Sequence, residues 1–307
     1  MEISRYYPDV RQTSCENKNL AEQNDYQFCR QIMRKASKNY SFASNFLPKD
    51  KLKHVEALYA FLRIGDDRVD VSNKGFSSPL EAIEDWERAY WGAFQTCDSP
   101  HPVLRAYLNT ANECQIPPEL MISYFTAMKS DLSVMRFPTF ADLMNYMEGS
   151  AMIVGRAMTY ILGIQPSVTY KQVMPYADAL SIAMQLSNFW RDIAYDWGIC
   201  RVYIPQEDLE HFGVSEEDLA ERRVTSQFIH LMQFEIARTE TYYDTALQGI
   251  PMLAVGQWGV MSGLEVYRAI LTEIRRNHYD VFQHKAGASL LKKIALVTRA
   301  RWNTRRQ

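Results

Sequence analysis

HVEALYAFLRIGDDRVDV, residues 54–71, is the stretch that decides the fold. Its Ala, Leu, Glu and Arg favour helix, and Tyr59, Arg63, Asp66 and Asp70 stand at i, i+4, i+7 and i+11, along one helical face. Leu58, Phe61, Leu62 and Val69 fill the other faces. A second stretch, ADALSIAMQLSNFWRDIAYDW at 177–197, repeats the arrangement with Gln185, Asn188, Asp192 and Asp196. Leu180, Ala183, Met184, Leu186, Phe189, Trp190 and Ile193 surround that stripe. Carboxylates four residues apart on one face repel by roughly 0.2–0.5 kcal/mol per pair, so each stripe calls for a compensating cation. Oxygen ligands on otherwise apolar helices suit Mg²⁺, which keeps several waters, takes one or two carboxylates and bridges to phosphates. The competing reading makes the first stripe a solvated face on which Asp66, Asp67 and Asp70 pair with Arg63 and Arg68. Recurrence of the spacing on a second apolar helix favours the metal reading.

Outward from these two helices the chain continues in the same manner. Apolar residues recur at three- and four-residue steps, which predicts an all-α protein with helices near 22–45, 51–71, 80–97, 101–114, 117–131, 139–164, 170–197, 215–247, 257–280 and 288–303. Prolines at 79, 100, 117, 118, 138, 166 and 205 punctuate them. No Gly/Ser linker or internal repeat interrupts residues 1–307, so one domain is expected, with residues 1–20 as a disordered lead and 285–307 as a basic tail.

The 34 Lys+Arg and 36 Asp+Glu nearly cancel, which gives no global field for a nucleic-acid partner. Five cysteines without a CxxC pair suggest neither a disulfide framework nor a zinc site. The N-terminal MEISRYYPDVRQ lacks the apolar core of a secretory signal, and no apolar run reaches ~18 residues. A cytoplasmic protein is expected, in peripheral contact with membrane at most. Such contact would come from the acid-free tail after Asp280, where Lys292, Lys293, Arg299 and Arg301 interleave with Leu290, Leu291, Ile294 and Val297. The alternative is a helix packed on the bundle with one solvated face.

Five segments, in order from Ser37 to Phe282, resemble the squalene/phytoene synthase family, and bacterial phytoene synthases most. ASKNYSFASNFLP (36–48) is similar to its opening Ser-x-x-aromatic segment and ALYAFLRIGDDRVD (57–70) to its first aspartate motif. YMEGSAMIVGRAM (146–158) resembles its middle helix, QLSNFWRDIAYDWGICRVYIPQEDL (185–209) its second motif, and LEVYRAILTEIRRNHYDVF (264–282) its closing helix. The resemblance implies an isoprenoid-synthase-type helical bundle with a central cavity, in which two prenyl diphosphates condense head to head. Asp66, Asp70, Asp192 and Asp196 would bind Mg²⁺, or Mn²⁺ in its place. Arg63 would hold diphosphate oxygens, with Gln185, Asn188 and Lys285 in support. Ser37 and Tyr40 would face a substrate head group, and Tyr59 and Tyr267 would stand near the reacting carbons. A buried core role with a satisfied hydroxyl is the competing reading of both tyrosines. Gly149 and Gly155 would allow close helix approach.

The sequence departs from that pattern in four places. Tyr195 replaces an acid before the last aspartate, Cys200 replaces a Gly, and His284 and Lys285 stand where an arginine is common. Asp196-Trp197 resembles the hydroxysqualene-forming branch, whereas Arg191 and the N-terminal segment resemble phytoene synthases. Ser44, small at a pocket floor, favours geranylgeranyl diphosphate and phytoene over farnesyl diphosphate and a C30 product. No GxGxxG fingerprint appears and NADPH is not expected. The reading from another class is a non-catalytic helical assembly factor, against which the four aspartates stand.

Overall fold

A computed structural model describes residues 20–70, 75–133, 135–283, 286–287 and 290–304. The side chain of Asp70, the expected disorder of the first residues, His284 and Lys285 lie outside that description. The helices are α1 (Gln23–Ala36), α2 (Lys38–Ser44), α3 (Lys49–Asp70), α4 (Pro79–Thr96), α5 (Pro102–Glu113), α6 (Glu119–Ser130) and α7 (Phe140–Met147). After a π-helical turn at Glu148–Met152 come α8 (Ile153–Leu162), α9 (Tyr170–Gly198), α10 (Gln206–Phe212), α11 (Glu216–Ala220), α12 (Ser226–Gly249), α13 (Gln257–Arg276) and α14 (Leu290–Thr304). Among the described residues there is no strand, only a single bridge between Ile164 and Leu253. The fold class is therefore the all-helical one expected.

Several boundaries differ from expectation, each for a local reason. The helix expected over 22–45 breaks at Ser37, which has extended backbone (φ −140°, ψ 111°) and whose Oγ accepts the Tyr40 N–H at 3.2 Å, capping α2. The helix expected over 139–164 is continuous but carries the π turn. The stretch 215–247 divides into α11 and α12, the second opened by Thr225, whose hydroxyl accepts the Phe228 N–H at 3.1 Å. Helix α10 was not expected; acids at Glu207 and Asp208 in its first turn and Gly213 in the left-handed region after its end are its signals. Helix α13 stops at Arg276, and His278 and Tyr279 follow with φ of 52° and 64°.

Contacts divide the chain into two compact units, one of residues up to 41 with 48–132, the other of 42–47 with 133 onward. In the first, α3 packs against α1, α4, α5 and α6. Its core is aromatic: Phe61 stacks on Tyr107 with centroids 4.2 Å apart and meets Trp86 at 5.5 Å and Tyr90 at 5.4 Å. Gly65 lets α3 lie against Tyr124, since a Cβ there would stand 1.9 Å from the phenol oxygen.

In the second unit α9 is the central helix and packs against α12, α13 and α8. Its buried polar atoms are matched: Trp190 Nε1 donates to Thr239 Oγ1 at 2.8 Å, and the Ser187 and Tyr243 hydroxyls bond at 2.8 Å. Gly155 permits the close approach expected of it, because a Cβ would lie 2.2 Å from Ser181 Oγ and 2.8 Å from the Ala177 carbonyl. The tail helix α14 packs on α13, burying Val297 and Ala300, while Trp258 Nε1 donates to the Val297 carbonyl at 3.1 Å. Ile294 and Arg299 are exposed, whereas the Arg301 guanidinium lies over the Trp258 ring of α13, 5.0 Å from its centre. Cys29, Cys114 and Cys200 are free thiols; Cys97, contrary to the cysteine reading, is disulfide-bonded.

Candidate active site

The first stripe lies on α3. Tyr59, Arg63 and Asp66 are each partly exposed, whereas Leu58, Ala60, Phe61 and Leu62 are buried, so the polar face left by the apolar packing is the one predicted. Asp70 is the last residue of α3. Arg63 pairs with Asp67 at 2.5 Å, and although burial opposes its charge, Asp67 and Asp66 raise its pKa overall. The Arg63–Asp67 pair is one that the solvated-face reading expects, and Arg68 reaches the Ala82 carbonyl (2.7 Å) and Asp85 (2.8 Å) on α4.

Ser37, Tyr40 and Tyr59 come together beside this stripe. The Tyr40 and Tyr59 rings are tilted at 33° with centroids 5.0 Å apart. Burial raises the Tyr59 phenol's pKa; Arg63 lowers it, Asp66 raises it, and a hydrogen bond with the Ser37 side chain lowers it. Ser37 thus caps α2 through its oxygen and meets Tyr59, which makes its place in the opening segment intelligible in terms of local structure.

The second stripe lies on α9. Gln185, Asn188, Asp192 and Asp196 are partly exposed, and Leu186, Phe189, Trp190 and Ile193 between them are buried. Arg191 grips Asp192 with two nitrogens, Nε to Oδ1 at 2.9 Å and Nη2 to Oδ2. Burial works against its charge, but Asp192, Tyr267 and Asp196 raise its pKa overall, so these four side chains form one electrostatic group. Tyr267 is buried on α13 at 9% exposure. Tyr195 is 68% exposed, so an acid at that position would stand in solvent. Beyond Asp196 a crevice is lined by Phe189, Ile193, Asp196, Trp197, Arg201 and Tyr203.

Among the described residues no three His, Cys, Asp or Glu side chains converge as a metal cluster. The donor sets are carboxylates four residues apart, with the Asn188 amide one turn before Asp192. That chemistry fits a Mg²⁺ ion completed by water and a phosphate-bearing ligand, which needs only one or two carboxylates. In the sequence Arg191 stands out only as a point of resemblance, and Arg136, which binds the loop after α9, belongs to no motif. An arginine next to a stripe aspartate carries no spacing signal.

Comparisons with known proteins identify the family. The family model for squalene/phytoene synthase matches residues 33–293. The phytoene synthase of Arthrospira platensis is 30% identical over 307 residues, covering 96% of this chain and 98% of that protein. Chloroplastic phytoene synthase 1 of Arabidopsis thaliana is 31% identical over 274 residues, covering 88% of this chain but only 64% of that longer protein. Among solved structures, a dehydrosqualene synthase bound to a ligand superposes with a TM-score of 0.85 at 26% identity, over 93% of this chain and 98% of that one. With its helical fold and its two aspartate stripes, the chain belongs to the squalene/phytoene synthase family of prenyl transferases.

Proposed function

We propose that the chain condenses two molecules of geranylgeranyl diphosphate head to head into phytoene, in a Mg²⁺-dependent reaction. The observation that carries this is the paired design of α3 and α9, each a buried helix with one partly exposed stripe bearing aspartates and an arginine. Asp66, Asp70, Asp192 and Asp196 would hold Mg²⁺, which when bound neutralises the charge of a departing diphosphate. Arg63 adds a fixed cation for diphosphate oxygens. Gln185 and Asn188 offer amide donors and acceptors on the α9 stripe that carries Asp192.

Departure of the first diphosphate leaves an allylic cation, which the double bond of the second substrate attacks. Loss of a proton closes a cyclopropyl diphosphate, and departure of the second diphosphate starts a rearrangement whose final cation loses a second proton to give phytoene. Tyr59 and Tyr267, one partly exposed and one largely buried, present aromatic faces that tolerate a cation and exclude water. Ser37 and Tyr40 are assigned to the head group.

A second reading keeps the chemistry and shortens the substrate to farnesyl diphosphate, with squalene, dehydrosqualene or hydroxysqualene as product; the 0.85 TM-score to a dehydrosqualene synthase favours it. Incubation with Mg²⁺ and either diphosphate, with and without NADPH, followed by mass analysis of the hexane extract, separates the two. A C40 hydrocarbon that disappears with EDTA is the expected result, and a C30 product selects the second reading. No coupled product from either substrate in folded protein returns the chain to the assembly-factor reading.

The exposed residues of α14, Ile294 and Arg299 among them, are assigned to contact with anionic membrane. Its opposite side is engaged by α13, so this contact would be superficial. Among the described residues no helix is long and apolar enough to cross a membrane.

A further inference from the structure

The last turn of α9 carries Asp196 in an unusual cap. The Arg201 N–H donates to the Asp196 carbonyl at 2.8 Å and the Cys200 N–H to the Trp197 carbonyl at 3.0 Å, the bond pair of a Schellman motif with Asp196 three residues before the cap. The residue that must turn left-handed in such a motif is Cys200, with φ 64°. Glycine takes that conformation freely, whereas an L side chain there costs about 1–2 kcal/mol, so this cap is weaker than usual.

One side chain supports it from outside. Arg136 Nη1 donates to the Cys200 carbonyl at 2.7 Å and to the Met135 carbonyl at 2.9 Å, and the guanidinium lies over the Trp197 ring, 5.6 Å from its centre. Its Nε and Nη2 fork onto Glu216 at 2.6 and 2.9 Å. Hydrogen bonding to Glu216 is the largest influence on the Arg136 pKa, and raises it. The Val202 N–H donates to the Met135 carbonyl at 3.0 Å, which aligns the two strands of loop. A cation at the C-terminal end of a helix also complements the helix dipole.

We propose that Arg136, anchored by Glu216, is a positioning residue for Asp196: it holds the left-handed Cys200 cap so that the final carboxylate of the second stripe keeps its place. None of the Arg136 bonds above reaches a stripe carboxylate; they go to the backbone that ends the helix and to Glu216. Asp192, a turn earlier, sits within the regular hydrogen-bond ladder of α9. The proposal rests on the reading of Asp196 as a metal ligand.

The test is a Mn²⁺ titration followed by electron paramagnetic resonance, with inorganic pyrophosphate present, on the full chain, alongside circular dichroism and thermal melting. Arg136→Gln is expected to weaken Mn²⁺ binding about tenfold without changing helix content, and Glu216→Gln about threefold. Cys200→Gly alone should stay within about twofold of wild type. Combined with Arg136→Gln it should recover most of the loss, because a glycine cap needs no support. Wild-type binding by Arg136→Gln, or a loss that Cys200→Gly does not relieve, overturns the proposal. Should Arg136→Gln fail to fold, unaltered binding by Glu216→Gln overturns it. A wild-type chain that binds no Mn²⁺ overturns the metal reading of Asp196 and the proposal with it.

Discussion

Arg191 holds the carboxylate of Asp192, its neighbour in the chain, through two guanidinium nitrogens, with both side chains mostly shielded from solvent. A cation is thus already seated on oxygens assigned to a metal. Removing it should favour the metal: Arg191→Gln is expected to tighten Mn²⁺ binding to the substrate-free chain by about three- to tenfold, read by paramagnetic resonance. Unchanged or weaker binding would mean that the two cations do not share these oxygens.

Asp192→Asn has the opposite sign. It leaves Arg191 without its partner and the stripe with one carboxylate fewer. Product formation should fall by about 10²–10⁴, with the residual rate less responsive to added Mg²⁺. A variant with wild-type turnover would remove Asp192 from the site.

Glu235, fully buried on α12, retains its proton well above the ordinary carboxylate range. Burial pushes its pKa up to about 8, Arg238 opposes this, and Asp208 and Glu207 reinforce it. Arg238 is shared between Asp208 at 2.8 Å and Glu235 at 3.2 Å, so one guanidinium serves two carboxyl groups. Near pH 4.5 and below, the folded and unfolded chains both hold the proton. Between there and about pH 8 only the folded chain does, so stability falls as pH rises through that window and levels off above it. Glu235→Gln should flatten the fall, narrowing the difference in melting temperature between pH 5 and pH 8 by a few degrees. An equally steep pH dependence in the variant would show that other groups set it.

Gly65→Ala places a methyl group 1.9 Å from the Tyr124 hydroxyl, which itself donates to the Leu62 carbonyl at 2.8 Å. Overpacking of this kind costs roughly 1–3 kcal/mol, and a lower denaturation midpoint in urea is expected. Adding Tyr124→Phe should return part of the loss. If it does not, the clash has been relieved by movement of α3 instead.

Both stripes were legible because they depend only on the 3.6-residue period: Asp66 and Asp70 on α3, and Asp192 and Asp196 on α9, share faces wherever those helices are placed. The core was legible for the same reason. What the period could not reveal depends on side chains acting on backbone. Ser37 ends one helix by capping the next, Cys200 adopts a conformation that its residue type gives no reason to expect, and Arg136 reaches a carbonyl 64 positions away in the chain. Helix α10 could have been found from Glu207, Asp208 and Gly213, which mark its two ends. Nothing in five scattered cysteines marked Cys97 for a disulfide.

The π turn at Glu148–Met152 makes the middle segment tolerant of losing one residue at that point. A π turn holds about one residue more than an α turn, and in ordinary helix each residue advances the chain by about 100°. Deleting a single residue between 148 and 152 would let the segment relax into ordinary helix with α8 keeping its facing. Gly155 would stay against Ser181 and the Ala177 carbonyl. The surplus residue is stored in the turn and not in the phase of the helix that follows.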